Sequence, residues 1–395
     1  MTKTEIVKAA FKVWGRNFYR KTSLSQLAGE LKVSKPALYR HFINKHALNT
    51  AMTEYFLDDF AASIKPDMEK ALNEKDPDKG IAAIIGGISG FFAGNVYALI
   101  FSLMNIYQRN IDDLSISERL KERGADIGIL QKIIERKYNA DPSIIRLIFT
   151  TLTFLMSHFH KIKKALDTQV TEDDKKNITL TICETVMRGL GYPAEKAEID
   201  FEKLEKILEE TSPSAESEPF FKAVAEAVAE AGPWNVSMDM VAKKLGLSKS
   251  SLYGHFKNKK DMLRRLFMTE FKRIIEFARQ GIKLSPNPAE QLYLGLYSIS
   301  IYLRSRPEIL IAMDWIRTRK LDLGKPEKEM EIFRLFEDID IEPLINASEI
   351  EKQRASHWIL FLLINILTHH NGSMRNNSIR MLYKFIIFGL GGFNK

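Results

Sequence analysis

An internal repeat constrains the fold of this chain more than any other sequence feature. A shift of 214 residues aligns Ser23–Leu48 (SLSQLAGELKVSKPALYRHFINKHAL) with Ser237–Met262 (SMDMVAKKLGLSKSSLYGHFKNKKDM), and 11 of the 26 positions are identical. A Gly-Leu-Gly run also recurs, at 189–191 and 389–391. The spacing of the copies is far longer than a solenoid repeat, so the sequence indicates the duplication of a whole domain.

Each copy carries the local signals of a small helical head. Apolar residues at helical spacing predict a first helix over Glu5–Phe18, and Thr2 with Glu5 is typical of a capping box. Polar residues that favour helix starts then predict three further helices in each copy: Ser23, Ser34 and Asn44 in the first, and Ser237, Ser248 and Asn258 in the second. A helix, a tight turn and a short basic helix predict helix-turn-helix geometry.

Charge is distributed unevenly along the chain. Residues 1–48 contain ten Lys or Arg against two acids, residues 194–218 three Lys against nine acids, and residues 219–263 seven Lys against four acids. The formal net charge of +8 permits a polyanionic partner. Because both basic blocks coincide with the repeated segments, the pattern favours nucleic acid over two unrelated solvated helix faces.

The run LxVSKxxLYxHFxNK of the first copy, LxLSKxxLYxHFxNK in the second, resembles the DNA-binding signature of the tetracycline-repressor (TetR) family. The resemblance implies an all-α tandem duplication, in which each half has a three-helix helix-turn-helix head and a helical core that dimerises and binds an effector. The expected domains are a first head (1–48), a first core (49–193), an acidic linker helix with a flexible segment (194–217), a second head (218–263) and a second core (264–395).

The resemblance also implies which residues meet double-stranded DNA. Ser23 and Ser237 cap the second helix of each head and touch phosphate, and the DNA-binding set also includes Ser34 and Ser248, which cap the third helix. Residues that face base edges are Lys35, Pro36, Ala37 and Arg40 in the first copy and Lys249, Ser250 and Ser251 in the second, with Arg40 able to reach either a guanine or a phosphate. Residues that hold the DNA backbone are Tyr39, His41, Lys45, Tyr253, His255 and Lys259.

Two departures from the family pattern lie in the first copy. Phe18 stands where the family has glycine before an aromatic residue, whereas the second copy keeps Gly232 but follows it with Pro233. Lys32 stands at the turn position that is Gly246 in the second copy. Because glycine suits a left-handed backbone, we expect an altered turn in the first head.

An uncharged stretch of 28 residues, Ile81–Gln108, leaves two interpretations open. Its length and its glycines at 86, 90 and 94 suit a membrane span. They equally suit two core helices that break near Gly94-Asn95. The corresponding stretch of the second copy, Leu292–Ile311, contains two arginines and a glutamate, which favours core helices and no membrane partner.

The end of each half predicts a pair of apolar helices, Ser143–Leu166 with Asp174–Gly191 and Ile350–His370 with Met374–Gly389. In the resembled family such pairs form a four-helix dimer interface. Two pairs in one chain can close that interface internally, which gives a monomer that is a covalent pseudo-dimer. A further amphipathic helix is predicted over 194–210, as a tether between the halves.

Candidate sites outside the heads are weaker. Aromatic and Met residues that line an effector pocket or pack in the core are Tyr97, Met104, Tyr107, Tyr293, Tyr297 and Trp315. His158 with His160 and His369 with His370 lack metal-ligand spacing, and no enzyme motif is found, so we expect neither a cofactor nor a reaction. The single Cys183 and the charged start of the chain suggest a cytoplasmic protein.

The sequence therefore predicts a sequence-specific regulator of transcription, a repressor that reads an asymmetric operator through two non-identical recognition helices and is released by a small apolar effector. The alternative is an effector-sensing or protein-interaction module in which one head no longer binds DNA. A membrane-associated helical protein is the third interpretation.

Overall fold

The computed structural model describes residues 2–16, 23–108, 116–138, 141, 143–210, 219–319, 331–339, 349–369 and 377–393. For residues 104–108, 233–234, 314–319, 349–351 and 369 it describes the main chain alone. These parts of the chain contain nineteen α-helices and no strand. The all-α fold predicted from the sequence is confirmed.

The first compact unit comprises residues 1–184 with 393–395. Its helices are α1 (Lys3–Arg16), α2 (Leu24–Glu30), α3 (Lys35–His41), α4 (Lys45–Asn73), α5 (Pro77–Gly94), α6 (Val96–Gln108), α7 (Ile116–Glu122), α8 (Gly128–Tyr138), α9 (Ile144–Ala165) and most of α10 (Glu172–Arg188).

The second compact unit comprises residues 185–392. Beyond the end of α10 its α-helices are α11 (Phe201–Glu209), α12 (Pro219–Asn235), α13 (Met238–Leu245), α14 (Lys249–His255), α15 (Lys259–Ile282), α16 (Pro288–Arg304), α17 (Pro307–Arg319), α18 (Glu349–His369) and α19 (Asn377–Phe388). Three short 3₁₀ helices add Ala194–Lys196, Glu331–Arg334 and Gly389–Phe393.

The predicted helix starts are observed in both heads. All six predicted cap residues accept a hydrogen bond from a backbone N–H three residues on. At the start of α1, Thr2 and Glu5 form the reciprocal capping box, with Thr2 N–H donating to Glu5 and Glu5 N–H donating to Thr2. Phe18, predicted as the last residue of the first helix, lies outside the described residues.

Each head packs on its own core in the same way. Helix α1 contacts α4 and α6, and its counterpart α12 contacts α15 and α17. Leu38 and Phe42 of the first head and Leu252 and Phe256 of the second are buried at equivalent places. The duplication predicted from the sequence thus extends to the packing of the helices.

The uncharged stretch forms two helices, as the core interpretation predicts. Helix α5 ends at Gly94, and α6 begins at Val96 after a bend of 109°. Among the described residues no single helix is long and apolar enough to cross a membrane; α5 together with 96–103 reaches that length and composition only as a bent pair. Four isoleucines of α5 are buried in the first unit: Ile81, Ile84, Ile85 and Ile88.

The segment predicted as one long linker helix is different in the structure. A 3₁₀ turn at Ala194–Lys196 is followed by α11, a helix of nine residues. Asp200 starts it, because its carboxylate accepts a hydrogen bond from Lys203 N at 3.1 Å. Helix α11 packs against α16 and is part of the second unit. Residues 211–217, the predicted flexible segment, lie outside the described residues.

The two Gly-Leu-Gly runs meet inside the second unit. A methyl group on Gly189 would lie 2.4 Å from Ile386 O, and one on Gly389 would lie 2.4 Å from Val186 O. Both glycines have φ of +58°. Leu190 N donates to Ile386 O at 2.7 Å. Equivalent ends of α10 and α19 therefore approach backbone to backbone, which only residues without a side chain allow.

Candidate nucleic-acid interface

The recognition helices α3 and α14 each bury one stripe and expose another. Leu38 and Leu252 are fully buried. Tyr39 and Tyr253 are each 49% exposed, so the two heads present this hydroxyl to solvent equally. Ala37 is half-buried, and the other polar candidates of the two helices are exposed: Lys35, Pro36, Arg40 and His41 in the first, and Lys249, Ser250, Ser251 and His255 in the second.

Serine side chains fix where these helices begin. Ser34 Oγ accepts from Ala37 N at 3.3 Å, and Ser248 Oγ accepts from Ser251 N at 3.1 Å. The lone pair used by the cap leaves the Ser34 hydroxyl proton available for a second partner. Ser248 Oγ lies 2.9 Å from Ser250 Oγ, and either hydroxyl can donate to the other. Ser23 and Ser237 cap the preceding helices in the same manner. The caps predicted from the sequence are confirmed, and their contact with phosphate stays a prediction.

The turn between the two helices has the same conformation in both heads. Lys32 has φ of +54° and Gly246 has φ of +65°. Val33 N donates to Ala28 O at 3.0 Å, and Leu247 N donates to Ala242 O at 2.9 Å. The altered turn expected in the first head is therefore wrong, because these hydrogen bonds hold Lys32 in the left-handed conformation that glycine adopts more easily.

Lys45 and Lys259 begin the helices that follow the recognition helices. Partial burial lowers the pKa of both ammonium groups. Lys45 Nζ lies 5.5 Å from the centre of the Trp14 ring, and Trp14 is fully buried. An ammonium over an aromatic face is attracted by the ring electrons. The Lys45 side chain is thus positioned by the head's own core.

The second recognition helix carries an ion pair that sequence reasoning missed. Lys249 Nζ lies 3.0 Å from Asp239 Oδ2, and this carboxylate raises the pKa of Lys249. The first head has Ser25 at the place of Asp239 and Lys35 at the place of Lys249. The sequence contained a signal for this difference: ten residues before the lysine, the first copy has a serine and the second has an aspartate.

A second ion pair joins the first two helices of each head, and its charges are exchanged between the copies. In the first head Arg16 Nη1 lies 3.8 Å from Glu30 Oε2. In the second head, at the equivalent positions, Lys244 Nζ lies 2.6 Å from Glu230 Oε1. In both heads these two positions therefore carry opposite charges, although the positive residue is on the first helix in one head and on the second helix in the other. The ion pair is common to the two heads, whereas its polarity is reversed.

The effector candidates divide between the two units. The Tyr97 ring packs on α1, since a methyl group on Gly15 would lie 2.7 Å from Tyr97 Cδ1. Tyr293 and Tyr297 are buried, and their hydroxyls donate to Glu205 and Glu209 at 2.5 Å and 2.9 Å, which favours their packing interpretation. The side chains of Met104, Tyr107 and Trp315 lie outside the described part of the chain.

Of the histidines singled out by the sequence, His158 and His160 are described in full, whereas His370 and the side chain of His369 lie outside the described residues. His160 Nε2 lies 2.8 Å from Phe92 O, and burial lowers the pKa of this imidazole. Within the described ranges, no group of three or more His, Cys, Asp or Glu is arranged to hold a metal ion. Cys183 is half-buried, and burial raises the pKa of its thiol to about 11.

Two heads with capped, outward-facing recognition helices define a protein of the helix-turn-helix class. The model of the family "Bacterial regulatory proteins, tetR family" matches residues 6–52 and again 221–266. Two segments of the chain, one in each repeat, therefore match the DNA-binding head of this family, as the resemblance predicts.

One curated relative and one solved structure are similar to parts of the chain. The HTH-type transcriptional repressor ComR of Escherichia coli (strain K12) is 29% identical over 117 residues, which is 29% of this chain and 55% of that protein. The chain thus matches about half the length of this relative. The crystal structure of the TetR family transcriptional regulator PfmR from Thermus thermophilus is 20% identical, covers 43% of this chain and 97% of that one, and has a TM-score of 0.35.

Proposed function

We propose that this chain is a sequence-specific repressor that binds one double-stranded operator with both of its heads. The observation that carries the proposal is the repeated recognition surface. Each head has the same capped recognition helix, with a half-exposed tyrosine at the same place and a lysine at the start of the next helix. Exposed hydroxyls and ammonium groups are the usual partners of DNA phosphates. ComR, which shares part of this sequence, is described as a repressor.

We propose further that a single molecule supplies both heads, as a covalent pseudo-dimer. Identical subunits of a symmetric dimer meet through the same residues on each side. Here Gly189 and Gly389, equivalent residues of the two repeats, approach each other reciprocally. This contact between equivalent positions supports closure of the dimer interface within one chain.

A small apolar effector that releases the DNA completes the proposal. The first core offers the more suitable site, because its side chains include a cluster of phenylalanines with no charged member: Phe56, Phe60, Phe91, Phe92 and Phe101. Tyr97 packs on the first helix of the head, and Phe101 of the cluster contacts Phe11 of the same helix, with ring centres 4.8 Å apart. A ligand that displaces Tyr97 would move α1 directly.

Salt-dependent DNA binding tests the proposal. The probe is a duplex recovered by selection from a random pool with the full chain. Lys45→Gln and Lys259→Gln should each weaken binding to all duplexes and reduce the slope of log K against log salt by about one. Glutamine keeps much of the aliphatic stem of lysine but removes the ammonium that lies over the Trp14 ring, so thermal melting of each variant must show that the head remains folded.

Lys272→Gln is the matched control. Lys272 is 78% exposed on α15 and lies outside the heads, so its loss should leave the slope unchanged. The proposal is wrong if the full chain binds no duplex in a salt-dependent manner. If only one of the two head lysines affects binding, the other head is an interaction surface.

A further inference from the structure

The two recognition surfaces differ in the charge that surrounds their first lysine. Lys249 is paired with Asp239 at 3.0 Å, and both side chains are about half exposed (54% and 53%). Asp239 is the second residue of α13, which precedes the recognition helix α14. In the first head Ser25 takes that place, and within the described residues Lys35 has no carboxylate oxygen within 4.0 Å of its ammonium.

We propose that Asp239 makes the two heads unequal in their affinity for DNA phosphates. Its carboxylate neutralises and holds the Lys249 ammonium, so the second head binds DNA phosphates more weakly than the first. The first head then anchors the protein, and the second contributes mainly base reading. This inference rests on the proposed function, since it assumes that the chain binds DNA.

The physical reason lies in what each group can offer a phosphate. A carboxylate only accepts hydrogen bonds and repels a phosphate oxygen, whereas the hydroxyl of Ser25 can donate to one. An ammonium already neutralised by a carboxylate displaces fewer counterions when it meets DNA, which makes the salt dependence shallower. The net charge of each head is consistent with a weaker attraction of the second head to phosphate: it is +8 over residues 1–48 and +3 over 219–263.

Asp239 and Lys249 are placed to interact by separate elements. Ser237 caps α13 and Ser248 caps α14, so the two side chains stand at the starts of adjacent helices. Lys249 is the first residue of α14 and is followed directly by Ser250 and Ser251. The ion pair therefore lies at the start of the helix that presents these serines, and it restricts the directions in which the lysine can extend.

Exchange of the residues between the heads tests the inference in the full chain. Asp239→Ser, which installs the residue of the first head, should tighten binding to the selected duplex and steepen the slope of log K against log salt by about 0.9. Asp239→Asn, which keeps the size of the side chain, should act in the same direction. Ser25→Asp should place a carboxylate beside Lys35, weaken binding and make the slope shallower.

Glu276→Gln is the control for net charge, because it also removes one negative charge. Glu276 is 59% exposed on α15, seventeen residues beyond Lys259 and about 26 Å along the helix. It should leave the slope unchanged. Circular dichroism melting of each variant checks that the heads remain folded.

The inference is overturned if Asp239→Ser and Asp239→Asn bind with the slope of the unaltered chain, or if Glu276→Gln changes the slope as much as they do. The proposed function fails separately, when the unaltered chain shows no salt-dependent binding to any duplex. A chain that binds DNA and responds to Lys259→Gln but not to Asp239→Ser contradicts this inference alone.

Discussion

At the scale of single residues, Lys32 adopts a backbone conformation that costs a non-glycine residue about 1–2 kcal/mol. Glycine loses more freedom on folding, by about 0.5–1 kcal/mol. We therefore expect Lys32→Gly to stabilise the first head by roughly 0.5–1 kcal/mol, measured by urea unfolding. Gly246→Lys should destabilise the second head by a similar amount. A less stable Lys32→Gly variant would show that the lysine side chain contributes more than its backbone costs.

His160 makes the stability of the first unit depend on pH. Burial lowers the pKa of its imidazole below the ordinary value of 6.5. Between the lowered value and 6.5 the unfolded chain binds the proton and the folded chain does not, so stability rises with pH there. We expect the free energy of unfolding to fall as the pH drops below about 6.5. His160→Asn should reduce this dependence, which urea unfolding on either side of that pH can measure.

Residue-level features were predictable where the signal is local. Ser34 and Ser248 indicate helix starts because a cap needs only its own neighbouring N–H groups. The conformation of Lys32 was not predictable in this way, since a lysine gives no local preference for positive φ. The pairing of Lys249 with Asp239 joins the starts of two helices, and neither residue alone indicates it.

At the scale of secondary-structure elements, a buried carboxylate of α11 holds this helix against α16 and α19 within the second unit. Glu205 is 4% exposed and accepts from Arg380 Nε at 2.8 Å, Arg380 Nη2 at 2.9 Å and the Tyr293 hydroxyl. Glu205→Gln leaves the guanidinium without its counter-charge, so we expect a loss of about 2–4 kcal/mol in the free energy of unfolding, discounted because Arg380 is 26% exposed.

Glu202→Gln is the matched control on the same helix. Glu202 is 87% exposed and lies 4.0 Å from Arg380 Nη1. Exposed ion pairs contribute little, so this variant should unfold at nearly the same urea concentration as the unaltered chain. Equal effects of the two variants would mean that the buried bidentate pair does not stabilise α11.

The contact between α10 and α19 predicts a sharp difference between two neighbouring glycines. A methyl group on Gly389 would meet Val186 O at 2.4 Å, whereas one on Gly391 would meet Met187 O at 3.5 Å, an ordinary contact. Gly389→Ala should therefore destabilise the second unit by about 2–4 kcal/mol through overpacking and positive φ. Gly391→Ala should change thermal unfolding little. The contact described here is wrong if both variants melt alike.

Helix boundaries were predictable where the hydrophobic periodicity and the helix-terminating residues indicated the same position. The break between α5 and α6 follows from Gly94-Asn95 within an apolar run. The single helix predicted over 194–210 failed, because Asp200 starts a separate helix and the residues before it form a 3₁₀ turn. The partners of Tyr293 and Tyr297 lie 88 residues away in the sequence, beyond the reach of any local pattern.

At the scale of the whole molecule, the proposed internal pairing predicts a definite stoichiometry. We expect the free chain to sediment as a monomer of 45.3 kDa and to bind one operator per chain. Sedimentation velocity at low micromolar concentration, with and without the selected duplex, measures both values. A dimer in which half-chains of different molecules are paired would contradict the proposed arrangement.

The operator should lack two-fold symmetry, because the heads present different side chains. Arg40 can form a bidentate contact with guanine, and Gly254, at the equivalent position, cannot. If Arg40 reaches a base, we expect Arg40→Gly to lose about 1–3 kcal/mol of discrimination in one half-site only. Selection from random duplexes measures this preference. A perfectly palindromic consensus for the unaltered chain would refute the prediction.

The architecture at this scale was predictable because a duplication is visible in the sequence itself. Six of the 11 identical residues are caps or buried positions, such as Leu38 and Phe42, which specify a fold. Four others are exposed and form the surface common to both heads: Lys35, Tyr39, His41 and Lys45. The residues that differ, such as Ser25 against Asp239, specify how each head works. Identity between copies does not contain that information, so the DNA-contacting residues remain predictions.

The exchanged charges of the Arg16–Glu30 and Glu230–Lys244 pairs have a consequence for how the chain reaches its native state. Two similar domains tethered together meet at a high effective concentration, and tandem copies are prone to trade equivalent segments while folding. If α1 took the place of α12, Arg16 would face Lys244, and Glu230 would face Glu30. Each wrong pairing replaces an attraction by a repulsion, so we expect these charges to disfavour hybrid heads while the chain folds.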